Sequence, residues 1–238
     1  MSPLLEAHGL SKHFAGVAAL VDVDLEVNAG EIVGLIGPNG SGKSTFFNVV
    51  TGFLRASSGT VIWKGEDVTR NSAHRRARKG LVRTFQERMC FDDLTVRENL
   101  QFPLIQAKSR GNSDARIAEV MEWVGLPQRT LTQRASELSW GQTRLLGMAV
   151  ALLFTPEVVL FDEPFAGLNR IAAEDVCAAL LRLRAEGITA VVVEHEMQLL
   201  LPLCDRVVVM ARGQKIAEGT SADILEREEV RLAYFGAA

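Results

Sequence analysis

The chain has 238 residues, of which 47% are hydrophobic, and a formal net charge of −3. That length suits one large domain or two small ones, and that apolar fraction can fill a sizeable core. The slightly acidic balance argues against a surface built to attract nucleic acid.

In chain order, residues 4–10 and 18–27 read as two strands. The second alternates, with Val21, Val23, Leu25 and Val27 on one face and Asp22, Asp24 and Glu26 on the other. Between them Phe14 falls on a predicted loop, where an aromatic either stacks on a purine or packs as a partly buried core residue. After an Asn28-Ala29-Gly30 turn, the apolar run Ile32-Val33-Gly34-Leu35-Ile36 reads as a short buried strand. It feeds Gly37, Pro38, Asn39, Gly40, Ser41, Gly42, Lys43 and Ser44, with Thr45 next and a helix beginning through Phe46 and Phe47.

Those eight residues spell G-x-x-x-x-G-K-S and resemble the phosphate-binding loop of nucleotide-binding proteins. The physics fits the resemblance. Glycines let the backbone turn tightly and bring N–H groups close to an anion. A helix start adds free N–H donors and the positive end of a dipole. Lys43 is then the point charge for β- and γ-phosphates, and Ser44 the hydroxyl for Mg²⁺. A glycine-rich turn before an ordinary helix would explain the glycines but not Lys-Ser at this offset.

Further along, residues 60–63 read as a strand, Lys64-Gly65-Glu66-Asp67 as a turn, and residues 72–79 as a short helix ending at Gly80. The basic cluster His74 to Lys79 on that helix faces either anionic lipid or water. Residues 81–85 form another strand and deliver Gln86. From 87 to about 133 the pattern is helical and strand-poor. Thr95 and Glu98 form a capping box. Residues 108–113 are a polar linker, and 114–124 a helix with Ile117, Val120, Met121 and Val124 on one side.

Leu138-Ser139-Trp140-Gly141-Gln142 precedes a long helix to Phe154. Val158-Val159-Leu160-Phe161 then ends in Asp162-Glu163, a buried strand whose tip presents two carboxylates. Asp162 is placed to hold Mg²⁺, directly or through water, and Glu163 to orient or deprotonate an attacking water. A helix over 172–185 and a strand over 189–193 follow, the strand ending in Glu194-His195. His195 could polarise a phosphate oxygen or serve as an ordinary loop histidine. Residues 205–210 make a further strand.

Cys90, Cys177 and Cys204 are far apart and lack metal-ligand spacing, so they read as reduced thiols of a cytosolic enzyme. The N-terminus has neither the charge nor the apolar length of a signal peptide. The longest apolar stretch, residues 145–154, falls short of the about 20 residues a membrane helix needs. Any membrane role is expected to come through a partner.

Taken together and in this order, the parts resemble the nucleotide-binding subunit of ATP-binding cassette (ABC) transporters over residues 4–235. Phe14 matches the family's base-stacking aromatic and residues 37–44 its Walker A loop. Gln86 matches the glutamine linking metal site to helical subdomain, and Ser139, Gly141 and Gln142 belong to its signature. Asp162 and Glu163 match Walker B and the catalytic acid, and His195 the switch histidine. Ala166-Gly167-Leu168-Asn169 fills the dimer-contact loop.

Two departures, Trp140 where the signature usually has Gly and Asn169 where the loop usually has Asp, resemble the branched-chain amino acid transport branch. So do Val82-Arg83-Thr84-Phe85-Gln86, Glu194-His195-Glu196-Met197 and the ending Val230 to Gly236. The bulk of Trp140 is expected to point away from the phosphate.

The resemblance implies an α/β fold: a P-loop NTPase (ABC ATPase) core with an antiparallel β subdomain. A helical subdomain inserted at about 87–150 completes a single nucleotide-binding domain over 1–238. It implies ATP and Mg²⁺ as cofactors and hydrolysis at a dimer interface. Glu163, His195 and Gln86 are the expected catalytic set, with Ser44, Gln86 and Asp162 on the metal. Expected partners are transmembrane permease subunits, a second ABC ATPase (identical or paralogous) and, indirectly, a periplasmic or extracellular substrate-binding protein, with no nucleic acid. The expected location is the cytoplasmic face of the membrane.

Met89 and Phe91 are expected either to line a groove for a permease helix or to pack the subdomain core. Amide, urea or lipid transport is the alternative cargo reading. A soluble cassette ATPase acting on nucleic acid, ribosomes or protein assembly is the alternative class. Such proteins usually carry two cassettes, a coiled coil or a zinc module, and this chain has one phosphate loop and none of those additions.

Overall fold

The computed structural model describes residues 2–85, 90–106 and 113–235. Ten strands and nine α-helices lie among them. A four-stranded antiparallel sheet, in the order β2-β1-β4-β5, is built from β1 (Leu5–Phe14), β2 (Val17–Val27), β4 (Ser58–Trp63) and β5 (Glu66–Asp67). A six-stranded sheet contains β3 (Ile32–Ile36), β6 (Leu81–Arg83), β7 (Val158–Asp162), β8 (Thr189–Val193), β9 (Arg206–Ala211) and β10 (Gln214–Gly219). Its order is β10-β9-β3-β8-β7-β6. All neighbours in it run parallel except β10, which turns back on β9.

Strands β3, β7 and β8 are buried at every position. A parallel sheet covered on both faces demands such unbroken apolar runs. Alternation then splits each strand between two cores. Val33, Leu35, Val158, Leu160, Val191 and Val193 join the antiparallel sheet and helix α1 (Lys43–Val50). Ile36, Val159, Phe161, Ala190 and Val192 face the helical side.

That second side gathers α3 (Val96–Gln106), α4 (Ser113–Val124), α5 (Trp140–Leu152) and α6 (Arg170–Ala185). Helix α2 (Ala73–Arg78) precedes β6, α7 (Met197–Leu200) lies between β8 and β9, and α8 (Ser221–Glu226) and α9 (Glu228–Phe235) follow β10. The capping box at Thr95 forms as expected, with the Thr95 N–H donating to Glu98 at 2.8 Å and the Glu98 N–H donating to the Thr95 hydroxyl at 3.2 Å. Ile117, Val120, Met121 and Val124 are the buried face of α4.

Three expectations need correction. Phe14 ends strand β1 instead of lying on a loop, because the hairpin turns at Ala15 and Gly16. Glu66 and Asp67 are a short edge strand on Ile62 and Trp63, so the turn is confined to Lys64 and Gly65, both at positive φ. The basic helix is not wholly a solvated face: His74, Arg75 and Arg78 are exposed but Arg76 is not. Arg76 is buried and donates to the carbonyls of Val49, Val50, Thr69 and Asn71.

Arg76 thus satisfies carbonyls at the C-terminal end of α1, which a helix cannot satisfy internally. Burial lowers its guanidinium to about 10, still charged at neutral pH. Arg76→Met is expected to lower folding stability by about 3 kcal/mol, the cost of leaving buried acceptors unmet. Urea unfolding followed by circular dichroism checks it; a loss below about 0.5 kcal/mol, typical of an exposed site, would show that Arg76 does not anchor the helix.

Candidate functional site

Strands β3, β7 and β8 are neighbours in the sheet, so their carboxyl ends open on one edge, where α/β sheets bind ligands. The loop after β3 carries Gly37 to Gly42, and α1 begins at Lys43. A Cβ at Gly37 would lie 2.2 Å from the Met210 carbonyl oxygen, and one at Gly42 2.8 Å from that of Ala19. Only glycine allows this approach.

The helix start is capped by the backbone of Gly42, with no side-chain cap. A cap contributes about 1 kcal/mol, whereas each fully buried Phe or Val contributes about 1.5–3 kcal/mol. With Phe46, Phe47, Val49 and Val50 buried, α1 stands on packing and leaves its first N–H groups to a ligand. Ser41 is buried and its hydroxyl has no hydrogen-bond partner among the described residues. Asn39, Gly40 and Ser44 are exposed, Pro38 and Thr45 half-buried. An uncapped helix start, an orphan hydroxyl and a cradle that a Cβ would fill fit a phosphate chain.

Lys43 is buried and donates to the carbonyls of Gly37 at 2.7 Å and Pro38 at 3.2 Å. Burial pushes its ammonium below the usual lysine range, while Glu163, Asp162 and Glu194 pull it back up. These four residues therefore share one electrostatic field. Asp162 pairs in register with Val193 on β8, and the Glu163 N–H donates to the Val193 carbonyl at 2.9 Å. Glu163 sits in the left-handed region at φ 47°.

The sequence reading assigned no role to two groups here. Glu194 is fully buried. Its carboxylate accepts the N–H of Phe165 at 2.8 Å and of His195 at 3.1 Å, tying β8 to the segment after Glu163. Burial raises its pKa against those two hydrogen bonds. An acid at the end of five apolar residues was the available signal. Arg83 was noted only as part of a longer stretch. It donates to Asp162 at 2.5 Å and to Asn48 at 2.6 Å. Its signal was a charge inside a strand flanked by apolar residues. The exposed His195 side chain lies with its Nδ1 3.8 Å from Glu194.

For a metal, Asp162 and Ser44 offer hard oxygen donors, the kind Mg²⁺ takes. Among the described residues no cluster of three or more His, Cys, Asp or Glu side chains gathers for a metal. That suits an ion held by one carboxylate, one hydroxyl and substrate phosphates. Gln86 and Met89 lie outside the described residues.

The signature residues sit apart from this loop. Helix α5 packs on α3, α4 and α6, while α1 packs on β1 and β2. Ser139 caps α5, its N–H donating to Gln142 at 3.0 Å and its hydroxyl accepting the Gln142 N–H at 3.3 Å. Gly141 is buried where a Cβ would meet that of Ala172 at 2.7 Å, so its missing side chain serves the packing of α5 on α6. Trp140 turns toward residues 166–167. Its indole N–H donates to the Ala166 carbonyl at 3.4 Å, and Arg144 lies 5.6 Å over its ring. Asn169 caps α6 by accepting the Ala172 N–H at 2.9 Å.

Phe14 is 43% exposed with Lys12 5.0 Å over its ring, which removes the core reading. At the other end of the chain, α9 brings Tyr234 to the loop. Burial pushes its hydroxyl up to about 12, opposed by the nearby Gly37 backbone.

Residues 20–166 match the family model described as ABC transporter. The chain is 35% identical to the high-affinity branched-chain amino acid transport ATP-binding protein BraF of Pseudomonas aeruginosa, over 99% of both chains. It is also 35% identical to the lipopolysaccharide export system ATP-binding protein LptB of Escherichia coli, over 98% of this chain and 97% of that one. An ATP-binding cassette of an ABC transporter, solved in its ADP conformation, superposes with a TM-score of 0.90 at 32% identity, covering 100% of both chains. A dimeric cassette solved in a post-hydrolysis state with ADP and Pi gives 0.80 at 26% identity, over 91% of this chain and 98% of that one. With a family model spanning more than half of its length and relatives of this identity end to end, the chain belongs to the ABC transporter family and is an ABC ATPase.

Proposed function

We propose that this chain is the ATP-hydrolysing subunit of an importer for branched-chain or related amino acids, acting with Mg²⁺ as one of a pair of ATPases on a membrane permease. The observation that carries the nucleotide site is the uncapped start of α1 beside the orphan Ser41 hydroxyl, with Lys43 in the field of Asp162, Glu163 and Glu194. Residues 37–45 are assigned to the phosphates and Phe14 to the base. Ser44 and Asp162, with Gln86, are assigned to Mg²⁺, which would neutralise phosphate charge there.

Lys43 would exchange the Gly37 and Pro38 carbonyls for phosphate oxygens. Glu163 would take the proton of the attacking water, with His195 and Gln86 completing the catalytic set. Ser139, Gly141 and Gln142 lie on another helix layer and are assigned to nucleotide held by a second ATPase. That subunit is identical or paralogous. The resemblance to a dimeric cassette supports such pairing. Tighter ATP binding by the closed pair would shift the population toward closure.

No helix among the described residues is long and apolar enough to cross a membrane. A peripheral place on the cytoplasmic face, with residues 87–150 as a helical subdomain reaching the permease, fits this. Phe91 is 55% exposed and meets the exposed Phe102 edge to face at 5.5 Å, with exposed Ile105 on the same helix as Phe102. The buried Asn99 amide holds the Phe91 backbone from both sides, at 2.8 and 3.1 Å. This supports a docking surface over the core reading for Phe91. The likeness to LptB favours a second reading, the ATPase of a lipid export system.

Lys43→Ala is expected to abolish nucleotide binding in calorimetry. Glu163→Gln should keep binding but slow turnover by about 100-fold or more and accumulate an ATP-bound dimer in light scattering. Wild-type turnover in either variant would remove that residue's role. Phe91→Asp should weaken permease co-purification while sparing nucleotide affinity; equal loss of both would reject the docking surface. With the co-purifying permease in liposomes, a binding protein loaded with a branched-chain amino acid should stimulate ATP turnover. Stimulation by lipid substrate alone would select the export reading.

A further inference from the structure

Arg83 ends β6 with its side chain only 6% exposed, and it is held in two independent ways. One guanidinium nitrogen donates to Asn48 on α1 at 2.6 Å. The rings of Phe85, Phe47 and Phe53 lie 5.0, 5.7 and 5.9 Å from its central carbon, within cation–π range. The second nitrogen donates to Asp162 Oδ2 at 2.5 Å. The first set of contacts does not involve Asp162. The guanidinium is therefore fixed whether or not the carboxylate stays, and the carboxylate is the exchangeable partner.

A buried carboxylate needs a countercharge to hold its position. Arg83 supplies that charge by direct contact, beside the longer-range field of Lys43. A divalent cation arriving alone would face a fixed positive charge already bonded to its carboxylate ligand. The same cation arriving on the phosphates of a nucleotide, ADP or ATP, brings negative charge that can displace it.

We propose that Arg83 is a positioning residue that holds the place of the metal: it keeps the Asp162 carboxylate oriented and neutralised until nucleotide binds and releases it only to a cation that enters with nucleotide. The proposal rests on the reading of Asp162 as a metal carboxylate. It makes metal affinity conditional on nucleotide, a property that neither Asp162 nor Ser44 confers.

The test is a titration of the nucleotide-free full chain with Mn²⁺ alone, followed by electron paramagnetic resonance. Arg83→Gln is expected to bind Mn²⁺ about ten-fold or more tighter than wild type, because a positive charge within a few ångströms is gone. Arg83→Lys, which keeps the charge, should stay near wild type. Adding Asp162→Asn to Arg83→Gln should erase the gain. A folded Arg83→Gln with wild-type Mn²⁺ affinity, or a gain that survives Asp162→Asn, overturns the proposal.

Asp162→Asn alone separates the two readings. If it leaves Mn²⁺ binding in the presence of ADP unchanged, Asp162 is not the metal carboxylate. If it weakens that binding while Arg83→Gln shows no gain, only the role of Arg83 falls. Should Arg83→Gln fail to fold, a crystal structure of the wild type with Mn²⁺ and ADP decides. Asp162 parted from Arg83 with the Asn48 contact kept supports the proposal, and an unbroken ion pair overturns it.

Discussion

At Gly37 a single added carbon would meet the Met210 carbonyl at 2.2 Å, and at Gly42 that of Ala19 at 2.8 Å. The turn after β3 is pressed between the end of β9 and the hairpin of the antiparallel sheet. The Gly213 N–H donates to the Ser41 carbonyl, and the Val21 N–H to that of Gly213, lacing the three segments together. Both sheets must be in place before this turn can take its shape. The anion cradle is thus a product of tertiary packing, and its glycines are fixed by neighbouring backbone as much as by any ligand.

Charge at the site follows the same pattern of shared constraint. Lys43, Asp162, Glu163, Glu194 and Arg83 cluster where the parallel strands end. Each is held by something other than the ligand: loop carbonyls for Lys43, backbone N–H groups for Glu194, Asn48 and aromatic faces for Arg83. Pre-oriented groups of this kind need little reorganisation when charge develops, which is where electrostatic catalysis gains most.

The strands that build the site were legible because burial on both faces leaves them unbroken apolar runs, and their terminal Gly, Asp or Glu then stand out. The loop motif was legible from the spacing of its residues, and the capping box at Thr95 because short-range chemistry dictates it. What escaped depends on distant partners. Arg76 looks like one of five basic residues until α1, more than twenty residues upstream, offers its carbonyls. Gly141 reads as a phosphate contact through resemblance, whereas its local duty is to let Ala172 approach. Strand β10 and helices α8 and α9 went unassigned because residues 214–235 mix charged and apolar positions without a clean period. The alternatives for Phe14 and Phe91 could not be separated by composition, since both are aromatic residues beside polar ones; exposure argues against the core reading for each.

Glu163 occupies the left-handed backbone region, where a residue with a Cβ is strained by about 1–2 kcal/mol. Its N–H bond to Val193 and the buried residues on either side, Asp162 and Pro164, hold it there. The strain belongs to the backbone and the proposed proton-accepting role to the side chain, so the two can be uncoupled by substitution. Asn or Gly would relax this position while discarding the carboxylate. On the proposed role of Glu163, a substitution that relieves this backbone would therefore add heat resistance at the expense of turnover.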